Sequence, residues 1–191
     1  MQRKIQHHFD CHVQTIRWAA DALSGEIQRC VELLCQTLRR GNKVLIMGNG
    51  GSAADSQHFA AELVGRFLKN RAALPAIALT TDTSILTAVG NDFGFDQVFS
   101  RQVEALAVEG DVVIGISTSG HSENVRRALQ LAREKNCSTV ALLGRDGGVI
   151  ASEVDQALTV AVQETPFIQE THLTIIHLLC DLVEQELFGQ A

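Results

Sequence analysis

Five short runs, at residues 43–47, 76–79, 112–116, 139–143 and 158–162, are almost continuously apolar, and most close in a Gly-, Ser- or Thr-rich turn. An alternating pattern would leave one strand face in water, whereas unbroken apolar runs suit strands covered on both faces. Helical patterns fill the intervals at 52–68, 96–107 and 122–135. Parallel strands need a long crossover between them, and helices of this length supply it. The alternation therefore predicts a parallel sheet inside a three-layer α/β sandwich.

Two helical arms flank this core. Before the first strand, residues 1–40 read as helix throughout, with Ile27, Cys30, Val31, Leu34, Cys35 and Leu38 at helical spacing. After the last strand, Ile168, Leu173, Ile176, Leu179, Leu182, Val183 and Leu187 repeat the pattern. Thr165-Pro166 marks that helix start, with Thr as N-cap and Pro at the first position, where no amide donor is needed. The expectation is a single domain over 1–191, its N-terminal arm used for packing between subunits of an oligomer.

Composition narrows the partners. A net charge of −6 argues against broad nucleic-acid binding, which needs a basic excess. The first eight residues lack a signal peptide's apolar stretch, and no apolar run approaches the roughly 18 residues that span a bilayer. The five cysteines form no CxxC pair or zinc-finger spacing, so they read as reduced thiols. A cytoplasmic protein without membrane contact is expected.

Gly48-Asn49-Gly50-Gly51-Ser52 leaves the first strand and opens a helix. Glycines let backbone amides approach an anion, and a helix N-terminus favours negative charge. The same residues, as Gly48-x-Gly50-x-x-Ala53, also fit the dinucleotide fingerprint. That motif wants an acidic residue about twenty positions on, and the nearest after the second strand is Asp82, about thirty on. Ser52-x-x-Asp55 has the form of a capping box, so Ser52 reads equally as cap or ligand contact and Asp55 as cap.

Ser117-Thr118-Ser119-Gly120-His121-Ser122 leaves the third strand in the same way. Its hydroxyls, gathered at a helix N-terminus, suit a phosphate monoester. A polar turn with an N-cap serine would use only one of them. A dinucleotide site has no use for this second cluster, whereas two anion-adapted loops at the carboxyl ends of parallel strands define one crevice. His121 reads as a solvated turn histidine.

These two loops, together with Gln57-His58-Phe59-Ala60-Ala61-Glu62, Gly90-Asn91-Asp92-Phe93-Gly94-Phe95 and Ile168-Gln169-Glu170, resemble the phosphoheptose isomerase family of the sugar isomerase (SIS) superfamily. The likeness runs in order from about residue 41 to 187. It implies a flavodoxin-like five-stranded parallel sheet and a homotetramer with interfacial active sites. It also implies one divalent metal per subunit, zinc for preference. The implied reaction converts D-sedoheptulose 7-phosphate to D-glycero-D-manno-heptose 7-phosphate, the first step of ADP-heptose synthesis for lipopolysaccharide core.

Carried over residue by residue, the resemblance implies His58, Glu62, Gln169 and His177 as metal ligands, with Glu62 and His177 catalytic. Substrate contacts would be Asn49, Gly50, Gly51, Ser52, Glu62, Asn91, Asp92, Ser117, Thr118, Ser119, Ser122 and Gln169. Physical reading alone is less specific. His58 and Glu62, four apart, share a helix face beside an apolar stripe of Phe59, Ala60, Leu63, Val64 and Phe67, which a surface ion pair would also explain. Gln169 and His177 lie about 12 Å apart along a helix and about 80° around it. They meet only if His177 leans back toward the helix N-terminus. Without the resemblance His177, like His172, reads as a core histidine, and Gln is an unusual zinc ligand.

Two positions depart from the family pattern: Phe167 stands where Arg is usual, and His121 where Asn is usual. One rival is a non-catalytic SIS regulator of the replication initiator DnaA, which residues such as Gln14-Thr15 and Ala22-Leu23 also resemble. That relative lacks the counterparts of Glu62 and His177, which this chain keeps. A nicotinamide-dependent dehydrogenase is the third reading.

Overall fold

A computed structural model describes residues 1–189. The chain runs α1 (Gln2–Arg39), β1 (Val44–Gly48), α2 (Gly51–Val64), β2 (Ala76–Ala78), α3 (Thr83–Asp92), α4 (Ser100–Leu106), β3 (Val112–Ser117), α5 (Glu123–Glu134), β4 (Ser138–Gly144), β5 (Gln156–Val160) and α6 (Thr165–Phe188). Among the described residues no helix is long and apolar enough to cross a membrane.

The five strands form one all-parallel sheet in the order β2-β1-β3-β4-β5. This is the flavodoxin-like order, and it differs from the six-stranded order that usually carries dinucleotides. Every residue of β1 and β3 is buried, as unbroken apolar runs require. Alternate side chains serve opposite layers. Val44 and Ile46 pack with Leu34, Phe59 and Leu179 from α1, α2 and α6, while Leu45 and Met47 pack with Val103 and Leu129 from α4 and α5. Burying each such aliphatic chain contributes roughly 1.5–3 kcal/mol, so the two layers hold the sheet ends in fixed register.

Asp111 anchors the edge of the sheet away from the glycine loops. Its carboxylate accepts from Lys43 Nζ (2.6 Å), Lys43 N (3.0 Å), Val108 N (2.9 Å) and Asn42 Nδ2 (3.2 Å). Burial alone would raise this carboxyl, but the four donors outweigh it and hold it below its ordinary range.

The sequence reading needs local corrections. α2 ends at Val64, so Phe67 lies beyond it and not in its apolar stripe. α6 starts at Thr165, with Glu164 rather than Thr165 at the N-cap position and no side-chain cap. The expected helix over 96–107 is a short 3₁₀ turn, Phe95–Gln97, followed by α4. α3 was not anticipated: none of its residues is fully buried, and only Leu86 and Val89 pack partly against the core, too short a stripe to reveal a helix.

Candidate active site

The sheet order reverses between β1 and β3, and the two anion-adapted loops leave the carboxyl ends of those neighbouring strands. Both feed helices without side-chain N-caps. α2 starts from Gly50, whose φ of +56° is a conformation glycine accepts readily, and no side chain caps its amides. The capping-box reading of Ser52 and Asp55 is therefore overturned. Ser52 is buried inside the first turn, and Asp55 keeps a buried carboxylate oxygen with no partner. Burial raises the Asp55 carboxyl, and the nearby His58 partly offsets this.

α5 begins after Ser122, whose hydroxyl does not cap the helix either. It pairs instead with Ser117 Oγ at 2.8 Å, and Ser117 Oγ also accepts from Gly120 N at 3.2 Å. Ser119 Oγ accepts from His121 N (3.2 Å), leaving its hydroxyl proton to donate. Thr118 has no side-chain hydrogen bond among the described residues. Ser117 and Ser122 thus hold the loop together, while Thr118 and Ser119 remain available to an anion.

A reciprocal amide pair ties the two loops. Asn49 Nδ2 donates to Asn124 Oδ1, and Asn124 Nδ2 donates back to Asn49 Oδ1, each at 2.9 Å. Asn124 was missed in the sequence, where it reads only as a polar residue in a helical turn. Beside Ser119 lies a small cavity of about 210 Å³, lined by His121, Arg145, Asp146 and Gln163. His121 is exposed, as a solvated turn histidine should be.

The proposed acid/base corner lies where α2 meets α6. His58 Nε2 stands 2.8 Å from His177 Nε2 and 3.5 Å from Glu62 Oε1. His177 meets His58 of α2, and it is half-buried rather than a core histidine. The core histidine is His172, which is fully buried and donates from Nε2 to the Leu143 carbonyl at 2.9 Å. That tautomer leaves Nδ1 a bare acceptor without a partner. Burial pulls this imidazole down to about 4, although its bond to Leu143 opposes the shift.

His58, His177 and Glu62 offer the donor chemistry that zinc takes. Their present spacing is tighter than ligation: two zinc-bound nitrogens stand about 3.3 Å apart at tetrahedral angles. Among the described residues no group of three or more His, Cys, Asp and Glu side chains is disposed to hold an ion. Glu62 and His177 each stand beside His58, 3.5 and 2.8 Å from its Nε2.

The remaining residues divide. The Gln169 amide lies over Gly51, where a Cβ would come to 3.0 Å from its Cδ. No hydrogen bond joins Gln169 to His58 or His177 among the described residues, and its amide lies at the start of α2. Asn91 and Asp92 close α3, are exposed, and bond to each other (2.7 Å) rather than to either loop. Phe167 packs on His8 of α1, with ring centroids 4.9 Å apart. His8 Nε2 and His12 Nδ1 grip Glu170 at 3.2 and 2.6 Å.

A sheet with this order and paired polar loops at its switch point fits a SIS domain, and the SIS domain family model matches residues 7–144. The likeness to individual proteins is closer. A phosphoheptose isomerase of Geobacter sp. strain M21 is 60% identical over 188 residues, covering 98% of both chains. That of Geobacter sulfurreducens is 66% identical over 166 residues, covering 87% of this chain and 88% of the relative. The solved phosphoheptose isomerase of Neisseria gonorrhoeae is 46% identical with a TM-score of 0.92, covering 96% of this chain and 98% of that one. The solved enzyme of Francisella tularensis is 39% identical with a TM-score of 0.93, at the same coverage. The chain belongs to the phosphoheptose isomerase family.

Proposed function

We propose that this chain is an aldose–ketose isomerase acting on sedoheptulose 7-phosphate in the crevice between its two switch-point loops. The observation that carries the reading is the pair of helix N-termini without side-chain caps, α2 and α5, that leave neighbouring strands at the switch point of one sheet. The N-terminal ends of α2 and α5, with the hydroxyls of Thr118 and Ser119, seat the phosphate. Glu62 and His177 then face the other end of the substrate.

Isomerisation moves one carbon-bound proton. Glu62 takes the proton from C1 as the C2 carbonyl oxygen gains one, giving an enediol. The O1 proton then leaves, and C2 is protonated to form the aldose. His177 serves the oxygens as the second acid/base. A divalent metal held by His58, Glu62 and His177, with Gln169 as the further donor, would polarise the carbonyl when bound. Binding it would make Glu62 less basic, so Glu62 would act as base only when not committed to the metal.

Ser119→Ala tests the phosphate seat. KM for the phosphorylated ketose should rise at least about 10-fold with kcat little changed, since a charged hydrogen bond of about 1.5–3 kcal/mol is lost from ground and transition states alike. An unchanged KM would remove Ser119 from the seat. The non-catalytic regulator reading is not favoured, because the close relatives carry the isomerase name and Glu62 and His177 are both present.

A homotetramer is the assembly we propose. Ile5, Phe9, Val13 and Trp18 of α1 are exposed, and an apolar groove of about 590 Å³ runs between α1 and α6, lined by Ile27, Val31, Leu178 and Leu182. A second copy covering these faces would bury them and could bring Asn91 and Asp92 to a neighbouring crevice. Light scattering should return four times the 20.7 kDa chain mass; a monomer would refute it.

A further inference from the structure

Beyond the acid/base pair, one buried network joins the two helices that carry it. Glu184 lies two turns after His177 on α6 and is 1% exposed. Its carboxylate accepts from the backbone amides of Phe67 (2.8 Å), Leu68 (2.9 Å) and Lys69 (2.8 Å), and from Arg71 Nε (3.0 Å). Burial alone would raise this carboxyl, but the three amides and the guanidinium hold it below its ordinary range, so it is ionised at neutral pH. Arg71, with its side chain 2% exposed, also donates to Glu62 O (2.8 Å) and Leu63 O (2.7 Å) at the end of α2, and Leu63 O accepts from Leu74 N as well (3.0 Å).

The loop fixed in this way delivers one side chain to the active corner. The Phe67 ring stacks on the His177 ring, with centroids 5.4 Å apart and planes 26° from parallel. His177 is thus held between this face and His58. An imidazole bounded by an aromatic plane has few rotamers left, and a catalytic group loses rate steeply when it strays from its reacting geometry.

We propose that Phe67 is a positioning residue for His177, itself held by the buried Arg71–Glu184 pair that links the catalytic helices. The inference rests on the reading of His177 as an acid/base. Phe67→Leu removes the ring but keeps an apolar side chain, and Phe67→Tyr keeps the ring. With sedoheptulose 7-phosphate, Phe67→Leu should lower kcat at least about tenfold and leave KM within about twofold, the pattern of misplaced chemistry rather than weakened binding. Phe67→Tyr should restore kcat to within about threefold of the parent.

NMR supplies an independent readout: the His177 ring protons should move downfield in Phe67→Leu as the ring current is lost. If Phe67→Leu does not fold, Phe67→Met provides the same ring-free comparison. The proposal is overturned by full kcat in the ring-free variant, by failure of Phe67→Tyr to rescue, or by unmoved His177 resonances. Near-parental turnover in His177→Gln would instead remove the acid/base reading itself. An inactive His177→Gln beside a fully active Phe67→Leu would overturn the positioning inference alone.

Discussion

Glu62→Gln is expected to lower kcat for sedoheptulose 7-phosphate by at least about 10²-fold, the usual contribution of a positioned acid/base. Gln keeps the shape of the side chain and can still meet His58, whose Nε2 is 3.5 Å from Glu62 Oε1. It cannot accept the carbon-bound proton. Stability should change little, because Gln matches Glu in shape and the only partner of the Glu62 carboxylate among the described residues is His58, at 3.5 Å. The structural tie at this position runs through its backbone carbonyl, which accepts from Arg71. A steady-state assay with the folded variant checks this, and near-parental turnover would remove Glu62 from the chemistry.

Gly120→Ala should have a large effect for a different reason. Gly120 sits at φ +68° in the second loop, and a Cβ there would come to 2.6 Å from Gly148 N, with the Gly147 carbonyl nearer still. Backbone meets backbone, so no side chain can turn aside. The Gly120 carbonyl also accepts from Ile150 N at 3.2 Å, locking the β3–α5 loop to the loop after β4. The added methyl must open this junction or leave the left-handed region, at a cost of at least about 2 kcal/mol. Chemical unfolding should register that loss, and KM for the phosphorylated ketose should rise with it. A variant of parental stability and KM would show that the junction does not shape the phosphate seat.

Much of this architecture is legible in the chain because its strands are buried on both faces. That produces the unbroken runs in β1, β3 and β4, and the glycine and serine loops then mark the carboxyl ends of β1 and β3. α3 escaped notice for the opposite reason: only Leu86 and Val89 pack partly on the core, too few to set a period. The acid/base corner is only half legible. His58 and Glu62 share a face at the spacing any helix allows, whereas His177 lies among Ile175, Ile176, Leu178 and Leu179 and looks like core. Its partner across the layer, His58, is 119 residues away, and no local pattern encodes such a meeting. The resemblance identified His177 where periodicity could not. Phe67 illustrates the same limit, since its role depends on the chain leaving α2 at Val64 and on Glu184 gripping the backbone beyond it.

The most direct test is conversion of sedoheptulose 7-phosphate in D2O, followed by NMR before and after chelation of the purified protein. The account predicts an aldose 7-phosphate carrying deuterium at C2, as proton transfer through an enediol requires, with turnover lost on chelation and restored by added zinc. Absence of any aldose from the untreated, folded protein would contradict the isomerase reading. Undiminished turnover after chelation would remove the metal from it.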